Sequence, residues 1–189
     1  ILSEANLFAA NLSIVNLSYA DLTEAILSEA NLIGSDLLGA NLKRADLSAS
    51  NLIGTNLRNA NLRGADLGGA KLTRTNLSEA NLMSANLSDA DLSEANLYEA
   101  EMNQAYLYKT NLQKSNLSET HLSGAYLVRA NLSEADLSRT DLKWSNLSFA
   151  NLAGANLRGA NLRGVKLHKA NLTGAYLQNT LMPDGAIQD

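Results

Sequence analysis

Two histidines, nineteen carboxylates and no cysteine set the chemistry open to this chain. Without thiols there is no cysteine nucleophile, thiolate metal site or disulfide, and the redox compartment leaves no mark. His121 and His168 lie more than two twenty-residue intervals apart, which predicts no shared metal. Glu101 and His121 are separated by twenty residues, and a carboxylate that orients an imidazole is half of a general-base relay. No nucleophile elbow, phosphate loop or His-Glu-x-x-His motif accompanies them. The pair therefore reads as an exposed ion pair, and the chain as a non-enzyme with no cofactor or metal. Asp21, Asp36 and Asp46 recur as single carboxylates, whereas a cation needs converging ligands; they read as turn formers. The Asn-Leu-Ser triplets, such as Asn76-Leu77-Ser78, match a glycosylation acceptor only as a by-product of the repetition.

What positions these residues is a strict period of five. From Leu2 to Met182 every fifth residue is Leu, except Met102 and Met182, and no insertion breaks the register. Two residues earlier stands a small side chain, Ala in 24 of 36 cases, so the space beside each leucine is narrow. The residue before the leucine is Asn or Asp at 27 of 37 positions, which makes the unit Ala-(Asn/Asp)-Leu-x-x. Five residues at about 100° each would spiral the leucines around a helix. In a flat strand successive leucines would point to opposite faces. The chain must turn a corner in each pentad, so that all leucines share one interior and stacked coils pair their backbones at about 4.8 Å. Asn and Asp suit the turn through short polar groups that bond nearby backbone and tolerate unusual dihedrals.

Runs such as Ala30-Asn31-Leu32, Ala40-Asn41-Leu42, Ala65-Asp66-Leu67 and Ala155-Asn156-Leu157 resemble the pentapeptide-repeat family. The resemblance implies an all-β, right-handed quadrilateral β-helix of about nine coils, four pentapeptides to a coil, forming a rod on the order of 45 Å long. The number four comes from the family. Recurrence at twenty residues of Tyr106 and Tyr126, and of Glu79, Glu99 and Glu119, agrees with it. Residues 1–182 form the expected solenoid and 183–189 a terminal turn and tail, because Pro183-Asp184-Gly185 breaks the pattern in the manner of a turn. That ending is similar to those of cyanobacterial members.

The departures from the pattern carry the functional expectation. Ten residues replace Asn or Asp: Ile1, Ile26, Lys71, Glu101, Tyr106, His121, Tyr126, Lys166, Tyr176 and Leu181. Ile1 and Leu181 read as capping positions. All nine aromatic residues fall in outward slots, opposite to a globular core. Tyr106, Tyr108, Tyr126, Trp144 and Phe149 gather on two adjoining sides, flanked by Lys109, Val128, Arg129 and Lys143. Aromatics edged by Arg are the composition of a protein interface, although stacked aromatics also stabilise neighbouring strands. The candidate partner-binding residues are Tyr106, Tyr108, Tyr126, Arg129, Trp144 and Phe149, and the expected partner is another protein.

Charge alternates along the chain. Residues 1–36 hold five acids and no base, 37–78 six bases and two acids, 79–119 seven acids and two bases, and 142–183 five bases and no acid. Some family members that resemble quinolone-resistance proteins inhibit DNA gyrase with a continuous acidic, DNA-like surface. Banding argues against that alternative, and equally against direct nucleic-acid binding, which needs a sustained basic stripe. Acidic first coils and basic last coils predict weak end-to-end self-association at low salt. No apolar run is long enough for a membrane helix, so a soluble protein is expected. The chain starts inside the repeat without Met, which predicts trimming of an earlier segment and leaves the compartment open between cytoplasm and an exported location.

Overall fold

Each pentad brings five backbone N–H groups, and a coiled chain is stable only if all of them find acceptors. In the computed structural model, which describes residues 2–189, the pentad Ala90-Asp91-Leu92-Ser93-Glu94 shows how this is met. Asp91 N–H donates to Ala70 O at 3.0 Å, in the preceding coil. Leu92 and Glu94 N–H donate to Asn111 O and Gln113 O at 2.7 and 2.9 Å, in the following coil. Ala90 N–H closes a turn onto Leu87 O at 3.1 Å. The remaining amide, that of Ser93, donates to Asp91 Oδ1 at 3.1 Å. Every Asn or Asp of this slot accepts the same bond from the N–H two residues on. The side chain is therefore a structural part of the backbone lattice.

Parallel bridges join residue i to residue i+20, from Asn6 with Ile26 to Asn161 with Leu181. Four pentads thus complete one coil, and four turns make it a quadrilateral β-solenoid. Each turn is Leu-x-x-Ala with its second central residue in the left-handed region, the signature of a type II turn. At that slot 26 residues other than Gly have φ of 52–62°, and ten of the twelve glycines have φ of 61–70°. A left-handed non-glycine residue costs about 1 kcal/mol, and the inter-coil bond made by its own N–H offsets this. The unusual dihedral expected of the Asn/Asp slot thus lies three residues later. The Asn or Asp itself is the bridged, extended residue, because its oxygen must reach over the turn to the amide two positions on.

Leucines 22 to 162, with Met102, are at most 1% exposed and fill the axis together with the Ala rows. Where Thr replaces Ala, its hydroxyl stays buried by donating to a Leu carbonyl, as Thr75 does to Leu52 O at 2.8 Å and Thr120 to Leu97 O at 2.8 Å. Ser145 Oγ is buried with no partner among the described residues. Leu2, Leu7, Leu12 and Leu17 at one end, and Leu167, Leu172, Leu177 and Met182 at the other, are half-buried. After Met182 the expected turn is present, with Gly185 at φ 92°, but the chain then returns instead of trailing off. Strand β1 (Thr180–Leu181) pairs antiparallel with β2 (Ile187–Gln188). Leu181 thus bridges both Ile187 and Asn161, while Ile1 lies outside the described residues. Among the described residues no helix is long and apolar enough to cross a membrane.

Candidate protein-binding face

Two stacked coils replace the lattice amide with a phenol. Tyr106 and Tyr126 bridge each other in parallel register and are 56% and 42% exposed. Neither phenol can take the place of an Asn Oδ1, so the N–H groups of Tyr108 and Val128 find no acceptor among the described residues, as is the case for the corresponding N–H groups after Ile26, Lys71, Glu101, Lys166 and Tyr176. At His121 the same loss is repaired, since Ser123 N–H donates to Asn103 Oδ1 at 3.0 Å. An unmade bond of this kind costs on the order of 1 kcal/mol. Two in succession on one side mark a place where the sequence departs from what the fold asks for.

The pentads of Leu107, Leu127, Leu147 and Leu167 form this side, called here the Leu107 side. It brings together Tyr106, Tyr108, Tyr126, Arg129 and Phe149, while Trp144 occupies the corner leading into it. Tyr108 is half-buried, and Trp144 and Phe149 are exposed. The indole lies on Gly164 in the next coil, where an added Cβ would fall 2.2 Å from Cε3. Glycine is thus required at 164 by the ring that covers it, since residues other than glycine adopt the same left-handed slot elsewhere. Tyr19 lies on Gly39 in the same way.

Two further residues complete the face and were not anticipated. His168 meets Phe149 edge-on, with centroids 5.3 Å apart and planes at 85°, and Lys169 Nζ lies 5.8 Å from the same ring. Arg129 approaches Phe149 from the preceding coil at 5.9 Å, so the ring sits between two cations. A step of twenty residues from 149, which leads back to the expected Arg129, leads on to Lys169, whereas His168 lies nineteen residues away. Lys109 packs over Tyr108 at 5.2 Å, and Lys143 pairs with Asp141 at 3.0 Å.

Ion pairs join the charge bands of the sequence at their boundaries. Arg44 pairs with Glu24, Arg58 with Glu79 at 2.9 Å and Arg74 with Glu94 at 3.0 Å, each across a band boundary. Lys114 with Glu134 and Arg139 with Glu119 repeat the arrangement one coil apart. The longest acidic column, Glu79, Glu99 and Glu119, is closed at its ends by Arg58 and Arg139. Beside it a hydrogen bond to Glu99, then burial and the charges of Glu119, Glu99 and Glu79, push the Tyr98 phenol up to about 12. His121 Nδ1 lies 3.2 Å from Glu101 Oε1 with both side chains about half exposed, the contact expected from their spacing and an ion pair when the imidazole is protonated.

Comparison with known proteins follows the lattice. The pentapeptide-repeats family model matches in eight copies over residues 1–39, 40–78, 75–113, 105–143 and 145–182. HetL, a pentapeptide repeat protein involved in heterocyst differentiation regulation in the cyanobacterium Nostoc sp. strain PCC 7120, is 35% identical over 98% of this chain and 92% of its own, with a TM-score of 0.41. QnrB1, a plasmid-mediated fluoroquinolone resistance protein, is 19% identical over 80% of this chain and 86% of its own, with a TM-score of 0.59; that likeness is one of fold. A pentapeptide repeat protein of the Arabidopsis thaliana thylakoid lumen is 28% identical over 65% of this chain and 71% of its own, with a TM-score of 0.28. No curated protein matches. The Asn/Asp-Leu unit that closes the amide lattice is the unit those eight copies match along nearly the whole length, and the chain belongs to the pentapeptide-repeat family.

Proposed function

We propose that this protein is a non-enzymatic scaffold that docks another protein on the Leu107 side. Tyr106, Tyr126 and Trp144 form the centre of that surface, and Tyr108, Arg129 and Phe149 surround it. The observation that carries this reading is the double replacement of Asn by Tyr. It forfeits two lattice hydrogen bonds and places two phenols in solvent, which folding alone does not favour. Exposed aromatics next to Arg are the residues that dominate interface energies. The test is a triple Tyr106→Ala, Tyr126→Ala, Trp144→Ala variant with an unchanged circular-dichroism spectrum. A partner recovered by wild type, purified and titrated directly, loses at least about tenfold in affinity for the variant; equal affinity overturns the placement.

A second reading, a DNA-mimicking modulator of DNA gyrase, has in its favour the fold shared with QnrB1. It needs a continuous acidic face, and the acidic column here spans three carboxylates before Arg closes it at each end. Gyrase supercoiling that is unaffected over a wide titration of the protein eliminates this reading.

A further inference from the structure

We infer that the segment docked on the Leu107 side is an acidic polypeptide; this rests on the reading of that side as a protein-binding surface and specifies its partner. Five of the eleven arginines and lysines elsewhere on the rod have a carboxylate one coil away, as in Arg58 with Glu79 and Lys114 with Glu134. On the Leu107 side Lys109, Arg129, Lys166 and Lys169 make no ion pair among the described residues. From residue 101 to residue 169 the pentads of this side contain no Asp or Glu at all. Arg163, next to the Gly164 that carries the indole, also makes no ion pair among the described residues.

Three of these cations, Lys109, Arg129 and Lys169, are held in place. Phe149 lies between Arg129 and Lys169, and Tyr108 lies beneath Lys109, so the aromatic rings fix where the positive charge stands while leaving it in solvent. Arg129 and Lys169 are two coils apart, on the order of 10 Å. Carboxylates on one face of an extended chain recur about every 7 Å, which suits both cations with the flexibility of their stems. An apolar side chain of the same segment then covers Tyr106 and Tyr126. Glu101 and Asp141 flank this positive strip on one edge and Glu134 on the other. The strip is thereby confined to about the width of one extended chain.

The test uses the full chain and a fluorescent Glu-rich peptide with two central Phe residues, followed by anisotropy. The wild-type protein binds it, and the matching Gln-rich peptide binds more weakly. Arg129→Glu with Lys169→Glu lowers affinity about tenfold, and Arg129→Gln with Lys169→Gln lowers it less. Lys43→Glu with Arg63→Glu, far along the rod, leaves it unchanged. Equal binding by the charge-reversed and wild-type proteins overturns the inference, as does an oligothymidylate that displaces the peptide. If the aromatic triple variant loses the purified partner while the charge-reversed protein retains it, the docking surface stands and the acidic partner falls.

Discussion

Two adjoining sides of the same coils spend the same slot differently. On the side of Leu112, Leu132, Leu152 and Leu172, Asn171 Nδ2 donates to Asn151 Oδ1, Asn151 to Asn131, Asn131 to Asn111 and Asn111 to Asp91, at 2.9–3.1 Å. Aspartate accepts but cannot donate, so Asp91 starts this ladder and the amides continue it. On the Leu107 side the corresponding ladder reaches only from Asn86 to Asp66 before Tyr106 and Tyr126 interrupt it. Where the slot serves the backbone, every polar atom is committed and the surface offers little to a partner. Where the amide is given up, the side chain is free to recognise something else.

Both sides share one core, and this equality is the easiest part of the comparison to break. Leu107→Asp and Leu112→Asp each bury an unpaired charge and abolish the folded state, a loss of several kcal/mol; a chemical-denaturation series in which one variant stays native would show that the sides differ in more than surface. Next in size is a swap between the two slots. Asn131→Ala removes bonds to Ser133, Asn111 and Asn151 and lowers stability by about 2 kcal/mol. Tyr126→Asn, which restores an acceptor for Val128 N–H, stays within about 1 kcal/mol of wild type while partner binding is lost. A Tyr126→Asn protein as destabilised as Asn131→Ala would mean that the phenols are there for stability.

The glycines sharpen the comparison further. Gly164→Ala drives a methyl into the indole of Trp144 and costs about 1–3 kcal/mol, with a red-shifted emission from the single tryptophan. Gly154→Ala, at the corner after Leu152, meets only Glu134 Cγ at 3.7 Å and costs only the left-handed backbone, about 1 kcal/mol. The smallest effect concerns acid. Burial opposes ionisation of Asp91, but hydrogen bonds from Ser93, Thr73 and Asn111 outweigh it and hold the carboxyl below its ordinary 3.8. A folded-state value below the unfolded one contributes stability that is complete above the ordinary value and is lost as pH falls through the folded one. The denaturation midpoint of wild type therefore drops more steeply on acidification below about pH 4 than that of Asp91→Asn; parallel curves would remove Asp91 as the head of its ladder.

Much of the fold was legible in residues 2–182 because one rule governs every coil. A leucine every five positions with a small residue two before it admits one solution, a turning chain with a common interior. The left-handed slot was also written in the sequence, since ten of twelve glycines occupy it, yet Glu, Arg and Trp fill it as well and mask that signal. The candidate face was legible as a set of aromatics. Lys169 and His168 were not, because residues twenty apart become neighbours only after coiling. Nor were the ion pairs that join the charge bands at their boundaries, such as Glu24 with Arg44 facing each other across coils.

The sequence alone determined the interior, because the size and polarity of Leu, Ala and Thr decide what can be dry, and their spacing decides that the chain must turn. Tertiary structure decided what each outward side chain touches. Stacking at twenty residues converts distant positions into contacts, and only those contacts show which amides are bonded, which cations are paired and which side of the rod remains uncommitted.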